Sequence, residues 1–464
     1  MEPMTIREIM QAVGGRILGE FANLTREVAR VETDSRTIHP GSLFVPLVGE
    51  RFDGHAYINA ALEGGAAACF TQRERESYLP GKCYIKVDST QKALRDLAKY
   101  YKSKFPAPVV ALTGSVGKTT TKDMVAAVLG ERYSVLKTEG NLNNEIGVPL
   151  TLLRLNREHQ VAVLELGMNH AGEIDYLSAL VEPDVVLMTN IGDSHIEFFG
   201  SREKILEAKS EIFHHAKPDA FVVLNGDDPL LRGLAGRLPY RDVALCGAGA
   251  DMDYRAAGLE SDGKSGMTCR LTTPKGSFQV EIPALGEHMI YPTLMAAAVG
   301  EHFGLTAEQI ASGVLHFAPT KMRMNILPRQ GGITILNDTY NANPQSMRAA
   351  VEVLSGAKGE YKIAVLGDMF ELGPLAPALH AGVGEYLGKA GVDCLVAVGE
   401  LARHIYDAAR EAGVPDCHLC ATKEEAHAIL DGVVRPNATI LVKASRGMAF
   451  EELVDYLKSI TKEA

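Results

Sequence analysis

The sequence predicts an α/β protein of three domains. Apolar, β-branched runs recur between helical stretches at 109–112, 161–164, 185–188 and 221–224. Such runs read as a parallel sheet covered on both faces, with functional groups at the carboxyl ends of its strands. A stiff Pro106-Ala107-Pro108 break precedes this block. The same alternation restarts after His316-Phe317-Ala318-Pro319, with runs at 333–336, 363–366, 395–398 and 439–442. The expected division is therefore 1–106, 107–318 and 319–464, and 464 residues suit three domains of roughly 150 each.

The first segment mixes short strands with helices and ends in an amphipathic helix over 90–105. The middle segment carries the main parallel sheet, and the last is a smaller α/β unit.

Composition narrows the function classes. The formal net charge is −11, with 46% hydrophobic and 23% charged residues. An acidic chain without a Lys/Arg run argues against a nucleic-acid partner or an anionic-membrane binder. The first residues lack a basic stretch followed by an apolar one, and no apolar run approaches the ~18 residues of a membrane span, so membrane insertion is not expected. Seven cysteines are scattered and odd in number, which fits free thiols in a reducing, cytoplasmic setting. The one CxxC, Cys417 to Cys420, has no second pair at zinc spacing and predicts no metal site. A soluble monomeric enzyme is the expectation.

The chemistry is written at the strand ends. After the first central strand comes Thr113-Gly114-Ser115-Val116-Gly117-Lys118-Thr119-Thr120. Glycines let backbone N–H groups curl around phosphate oxygens, and the following helix N-terminus adds partial positive charge. Lys118 can reach the β/γ-phosphates, and the Thr119 hydroxyl is placed for Mg²⁺. Leu112 stands where the longer P-loop pattern has its first glycine, so the match is TGxxGKT.

Glu165 ends the second strand, a place for a further Mg²⁺ ligand or a solvated carboxylate. His195 follows the third, at the same sheet edge. In the helix over 201–216, Lys209 lies four residues after Ile205 and three before Ile212, on the apolar stripe. Burial there lowers an amine's pKa and favours the neutral form, whereas the plain alternative is a side chain snorkelling at a groove rim. The loop with Asn141, Asn143 and Asn144 offers amides to a peptide or sugar. Asp338 ends the first strand of the last domain and suits either a ribose hydroxyl pair or an Asx-turn.

These segments together resemble the Mur ligases of peptidoglycan synthesis. TGSVGKTTTKD (113–123), NLNNEIGVPLTLL (141–153), ELGMNHAGEI (165–174), AKSEIF (208–213), NDTYNANPQSM (337–347), VLGDMFELG (365–373) and VKASRGM (442–448) occur in the family's order. The stretch 34–58 is similar to the N-terminal domain of the two later ligases. No Asp-Asn-Pro-Arg-type motif, which selects diaminopimelate in the preceding ligase, is present.

The resemblance implies a UDP-sugar-binding N-terminal domain, a central P-loop ATPase domain and a Rossmann-like C-terminal domain that closes over ATP. It implies ATP-dependent joining of D-alanyl-D-alanine to UDP-N-acetylmuramoyl-tripeptide through an acyl phosphate. Thr119, Glu165 and His195 are implied as Mg²⁺ ligands, and Lys209 as a carbamate made with CO₂ that also binds Mg²⁺. Lys118, Lys209 and His195 are then the catalytic set. Gly114 to Thr120, with Arg323, Asp338 and Asn341, would hold ATP. Ser35 and Arg36 would hold the UDP-sugar, and Asn141, Asn143 and Asn144 the peptide. The family's His-Asn-x-x-Asn reads His288-Met289-Ile290-Tyr291-Pro292 here, so the amides left for adenine are Asn341 and Asn343. Competing readings are another amide ligase of this architecture, such as the tripeptide-forming ligase or a folylpolyglutamate synthetase, and a P-loop phosphotransferase.

Overall fold

Each apolar run of the central block becomes a buried strand because both faces of its sheet are covered by helices. The computed structural model describes residues 1–49 and 52–463, so Glu50 and Arg51 of the 34–58 stretch lie outside the described residues. The central sheet has nine strands in the spatial order Val135–Lys137, Val161–Glu165, Val109–Thr113, Val185–Met188, Phe221–Asn225, Val243–Gly247, Tyr254–Ser261, Met267–Thr273 and Gly276–Ile282. The first seven run parallel, and the last two continue as an antiparallel meander. That meander, over 254–282, was not resolved by the run pattern, because its strands alternate buried and exposed positions.

Register places the chemistry. Leu112 pairs with both Glu165 and Leu187, so the phosphate-type loop, Glu165 and the turn after Met188 leave the sheet at one edge. The helix Lys118–Gly130 starts directly from this loop and packs on Ile290–His302.

The last segment forms a six-stranded sheet in the order Asn325–Pro328, Thr334–Asn337, Ala438–Lys443, Tyr361–Gly367, Cys394–Val398 and Asp416–Cys420, parallel except for its first strand. Among the described residues the N-terminal segment holds a five-stranded sheet and two two-stranded ones, with the helices Ile6–Val13, Ile58–Glu63 and Thr90–Lys102. Its closing helix stops three residues before the expected 105, where Ser103 N–H bonds back to Lys99. Cys417 and Cys420 lie on one strand, three apart, so their side chains leave opposite faces; all seven cysteines are free. Among the described residues no helix is long and apolar enough to cross a membrane.

Candidate active site

The loop after Val109–Thr113 is shaped by two glycines. Gly114 has φ 149°, and a Cβ there would stand 1.9 Å from Thr189 Oγ1, so no side chain fits. Gly117 has φ 82° and begins the helix. Asn190 braces the loop from the neighbouring strand end, its Oδ1 accepting from Val116 N–H at 2.9 Å and its Nδ2 donating to Val116 O at 3.0 Å. Lys118 Nζ folds back onto Gly114 O at 2.8 Å. Burial lowers its pKa, Glu165 opposes that, and Arg323 adds to it.

Glu165 is 2% exposed and serves as a hub. It accepts from Thr119 Oγ1 at 2.9 Å and from Asn143 Nδ2 at 2.8 Å, both neutral donors. Lys209 is buried on the helix Arg202–Ser210. Its amine lies well below the usual lysine range, first through burial and then through the charge of Lys118, with Glu165 acting the other way. The charge of Glu165 thus offsets part of the burial of both lysines. The helix is shorter than expected, passing into a 3₁₀ turn over Glu211–Phe213, yet the stripe of Ile205, Lys209 and Ile212 is buried.

A cavity of about 480 Å³ lies between the central and last domains. Its floor is Ser115 to Thr120, Asn141, Asn143, Asn144, Glu165 and His195. Its wall comes from the last segment and includes Arg323, Asp338, Asn341, Asn343, Lys443 and Arg446. Arg323 reaches Thr119 Oγ1 at 3.4 Å and lies over Tyr340, its Cζ 4.0 Å from the ring centre. Lys209 and Gly114 do not line it. Ser35 and Arg36 are not brought to this cavity: they sit on a 3₁₀ turn of the N-terminal domain, with Arg36 paired to Asp34 at 2.7 Å.

Asn343 is corrected by the structure. Its Oδ1 caps the helix Pro344–Gly356 through Ser346 N–H and its Nδ2 donates to Ser194 Oγ at 2.7 Å, so its amide is already engaged and is not free for adenine. The Asn-Pro pair at a helix start was the signal for this role. Met289 lines the cavity, while Pro292 is buried within the helix Ile290–His302.

Sequence reasoning missed Lys443, which hides at the end of an apolar strand. Its Nζ donates to Asp338 Oδ2 at 2.5 Å and to Asn341 O at 2.8 Å. It also missed Glu371, whose carboxylate lies 2.6 Å from His195 Nδ1.

Three family profiles match in sequence order. They are described as the Mur ligase family catalytic domain at 27–102, the Mur ligase middle domain at 112–300 and the Mur ligase glutamate ligase domain at 322–446. This chain belongs to the Mur ligase family. The UDP-N-acetylmuramoyl-tripeptide–D-alanyl-D-alanine ligase of Bacillus subtilis is 38% identical over 97% of this chain and 98% of its own. The crystal structure of MurF from Acinetobacter baumannii superposes with a TM-score of 0.90 at 34% identity, covering 99% of each chain. MurF ligase from Thermotoga maritima, solved in complex with ADP, gives 0.82 at 29% identity over 93% of this chain and 97% of that one. The three-domain α/β fold is that of Mur ligases, and the chain is a ligase.

Proposed function

We propose that this Mur ligase joins D-alanyl-D-alanine to UDP-N-acetylmuramoyl-tripeptide at the expense of ATP, forming a pentapeptide precursor of peptidoglycan. The observation that carries the assignment of roles is the cavity whose floor is the glycine-shaped loop with Lys118, Thr119 and Glu165 and whose wall brings Arg323, Lys443 and Arg446. Those cations around a phosphate-type loop suit an anionic ligand between two domains.

The chemistry follows in two displacements. A carboxylate oxygen of the tripeptide attacks the γ-phosphorus of ATP, and ADP leaves, giving an acyl phosphate. The amine of D-alanyl-D-alanine attacks the acyl carbon; phosphate leaves and the amine loses its proton. Lys118 and the amides of 114–120 hold the phosphate oxygens as charge redistributes. Asp338, Arg323 and Asn341 approach the nucleotide from the last domain. Asn141, Asn143 and Asn144 face the peptide, and Ser35 and Arg36 the UDP-sugar.

Magnesium suits the donor set of Thr119, Glu165 and His195, a hydroxyl, a carboxylate and an imidazole beside a phosphate loop. When bound it neutralises charge on the transferring phosphoryl group. Lys209, with an amine depressed by burial, meets the condition for carbamate formation with CO₂, which would place an anion near Lys118. We further take the domains as 1–106, 107–318 and 319–464, and the enzyme as a cytoplasmic monomer that inserts into no membrane and binds no nucleic acid.

The test is phosphate release with the sugar-tripeptide alone, with D-alanyl-D-alanine alone, and with both. Sustained turnover only with both, and a product whose mass equals the sum of the two substrates less water, is the expected result. Sustained release with one substrate alone points to a phosphotransferase or a nucleotide switch.

A further inference from the structure

The turn that carries His195 is held between two domains. On the central side, Gly192 N–H donates to Ser115 Oγ at 2.8 Å, tying the turn to the phosphate loop. On the other side nearly every residue meets the last domain. Gln345 Nε2 donates to Asp193 Oδ2 at 2.5 Å, and Asn343 Nδ2 to Ser194 Oγ at 2.7 Å. Glu371 Oε2 stands 2.6 Å from His195 Nδ1, a charge contact out of line for a hydrogen bond, and Glu197 N–H points to Glu371 O at 3.4 Å. A Cβ on Gly192 would stand 3.0 Å from Gln345, so even the backbone is in close register with the last domain.

His195 and Glu371 are both non-glycine residues in the left-handed region, at φ 63° and 61°. Such conformations persist where the surroundings over-determine them. Here the two strained residues are each other's partners across the domain boundary.

We propose that Glu371 is a positioning residue: its carboxylate, packed against the Nδ1 side of the ring, orients His195 so that Nε2 is left for a cation, and it does so only when the last domain is seated on the 192–197 turn. Domain closure and readiness of the metal-binding edge are then one event. This inference rests on the reading of His195 as a Mg²⁺ ligand, and the experiment separates the two.

Glu371→Ala, Glu371→Gln and His195→Ala are compared with the parent. One readout is the Mg²⁺ concentration for half-maximal ligation. The other is amide hydrogen exchange over 192–199 with a non-hydrolysable ATP analogue and sugar-tripeptide, with and without Mg²⁺. Partners outside a metal's own ligands are worth about 10–100-fold in affinity or activity. Glu371→Ala is expected to raise the Mg²⁺ requirement at least tenfold and to abolish Mg²⁺-dependent protection of the turn, leaving KM for D-alanyl-D-alanine unchanged. Glu371→Gln keeps an acceptor oxygen and is expected to stay within about threefold of the parent. Glu371 sits half-exposed on a loop, so both variants should fold. If His195→Ala shifts the Mg²⁺ requirement while Glu371→Ala leaves it and the protection as in the parent, the positioning role is wrong and the ligand reading stands. Loss in Glu371→Gln equal to that in Glu371→Ala also overturns the positioning role, because the amide oxygen keeps the contact. An unchanged Mg²⁺ requirement in His195→Ala removes the ligand reading and the inference with it.

Discussion

The floor and the wall of the cleft use the same residue type in opposite electrostatic circumstances. On the floor, Lys118 and Lys209 act on one carboxylate, Glu165, which already accepts from Thr119 and Asn143. On the wall, Lys443 is as buried as Lys209 but has Asp338 at 2.5 Å and a carbonyl oxygen besides. Burial lowers the pKa of all three, and only at Lys443 does a carboxylate sit within hydrogen-bond reach. A buried charge without a partner is costly, whereas a paired and hydrogen-bonded one is tolerable. The wall is therefore assembled before ligand arrives. The floor is completed by what it binds, the arrangement expected where binding energy goes to a phosphoryl group.

The largest effect should come from removing the cation that lines the floor. Lys118→Ala is expected to lower kcat by about 10²-fold or more, because such contacts supply several kcal/mol in the transition state. The fold should persist, since Lys118 bonds only to carbonyls of its own loop, and circular dichroism with thermal melting checks that. Near-parent ligation by a folded Lys118→Ala enzyme would erase the distinction between floor and wall.

Lys209 sharpens the comparison next. If its amine becomes a carbamate, activity falls in CO₂-depleted buffer and recovers with bicarbonate. Lys209→Ala should lose most activity yet bind the sugar-tripeptide, with formate or acetate restoring part of the rate. Lys209→Arg, which cannot carbamylate, should stay inactive. Parent-like turnover in Lys209→Arg, or no response to bicarbonate and no rescue, would leave Lys209 as a buried stem of no chemical consequence.

The floor was legible in the sequence because each of its groups leaves a strand or lies on a helical stripe of clear period. TGSVGKTT, Glu165 and His195 follow apolar runs, and Lys209 interrupts one. The wall was less so. Lys443 is one cation at the end of a continuous apolar run, indistinguishable in sequence from a strand terminus facing solvent. Glu371 acquires meaning only from a contact with a residue 176 positions earlier, across a domain boundary that no local pattern encodes. Asn343 was legible as a helix cap from Asn-Pro and Ser346, but the competing reading as a base-binding amide obscured it. The antiparallel strands at 254–282 escaped because a two-residue alternation with one solvated face leaves no continuous run.

The smallest predicted effect lies far from the cleft, where pairing is complete and ordinary. Glu8 closes the capping box of the helix Ile6–Val13 with Thr5, and its other oxygen takes Lys104 Nζ at 2.8 Å, joining the first helix to the chain just before Pro106. The Lys104 hydrogen bond and then the Thr5 N–H bring its carboxyl from the ordinary 4.5 down to about 2. A carboxyl depressed on folding contributes stability that is fully present above pH ~4.5 and is lost as pH falls through about 2, because the unfolded chain takes up the proton first. The Glu8 side chain is 35% exposed, so solvent screening limits the gain to below about 1 kcal/mol. Glu8→Gln is expected to lower the melting temperature slightly at pH 6 and to narrow that difference as pH approaches 3, with kcat unchanged throughout. A gap that widens in acid would reverse the sign of the linkage. A fall in kcat at pH 7 would mean that charge pairing in the N-terminal domain reaches the cleft, and the division between self-satisfied and ligand-completed lysines would no longer follow the domain plan.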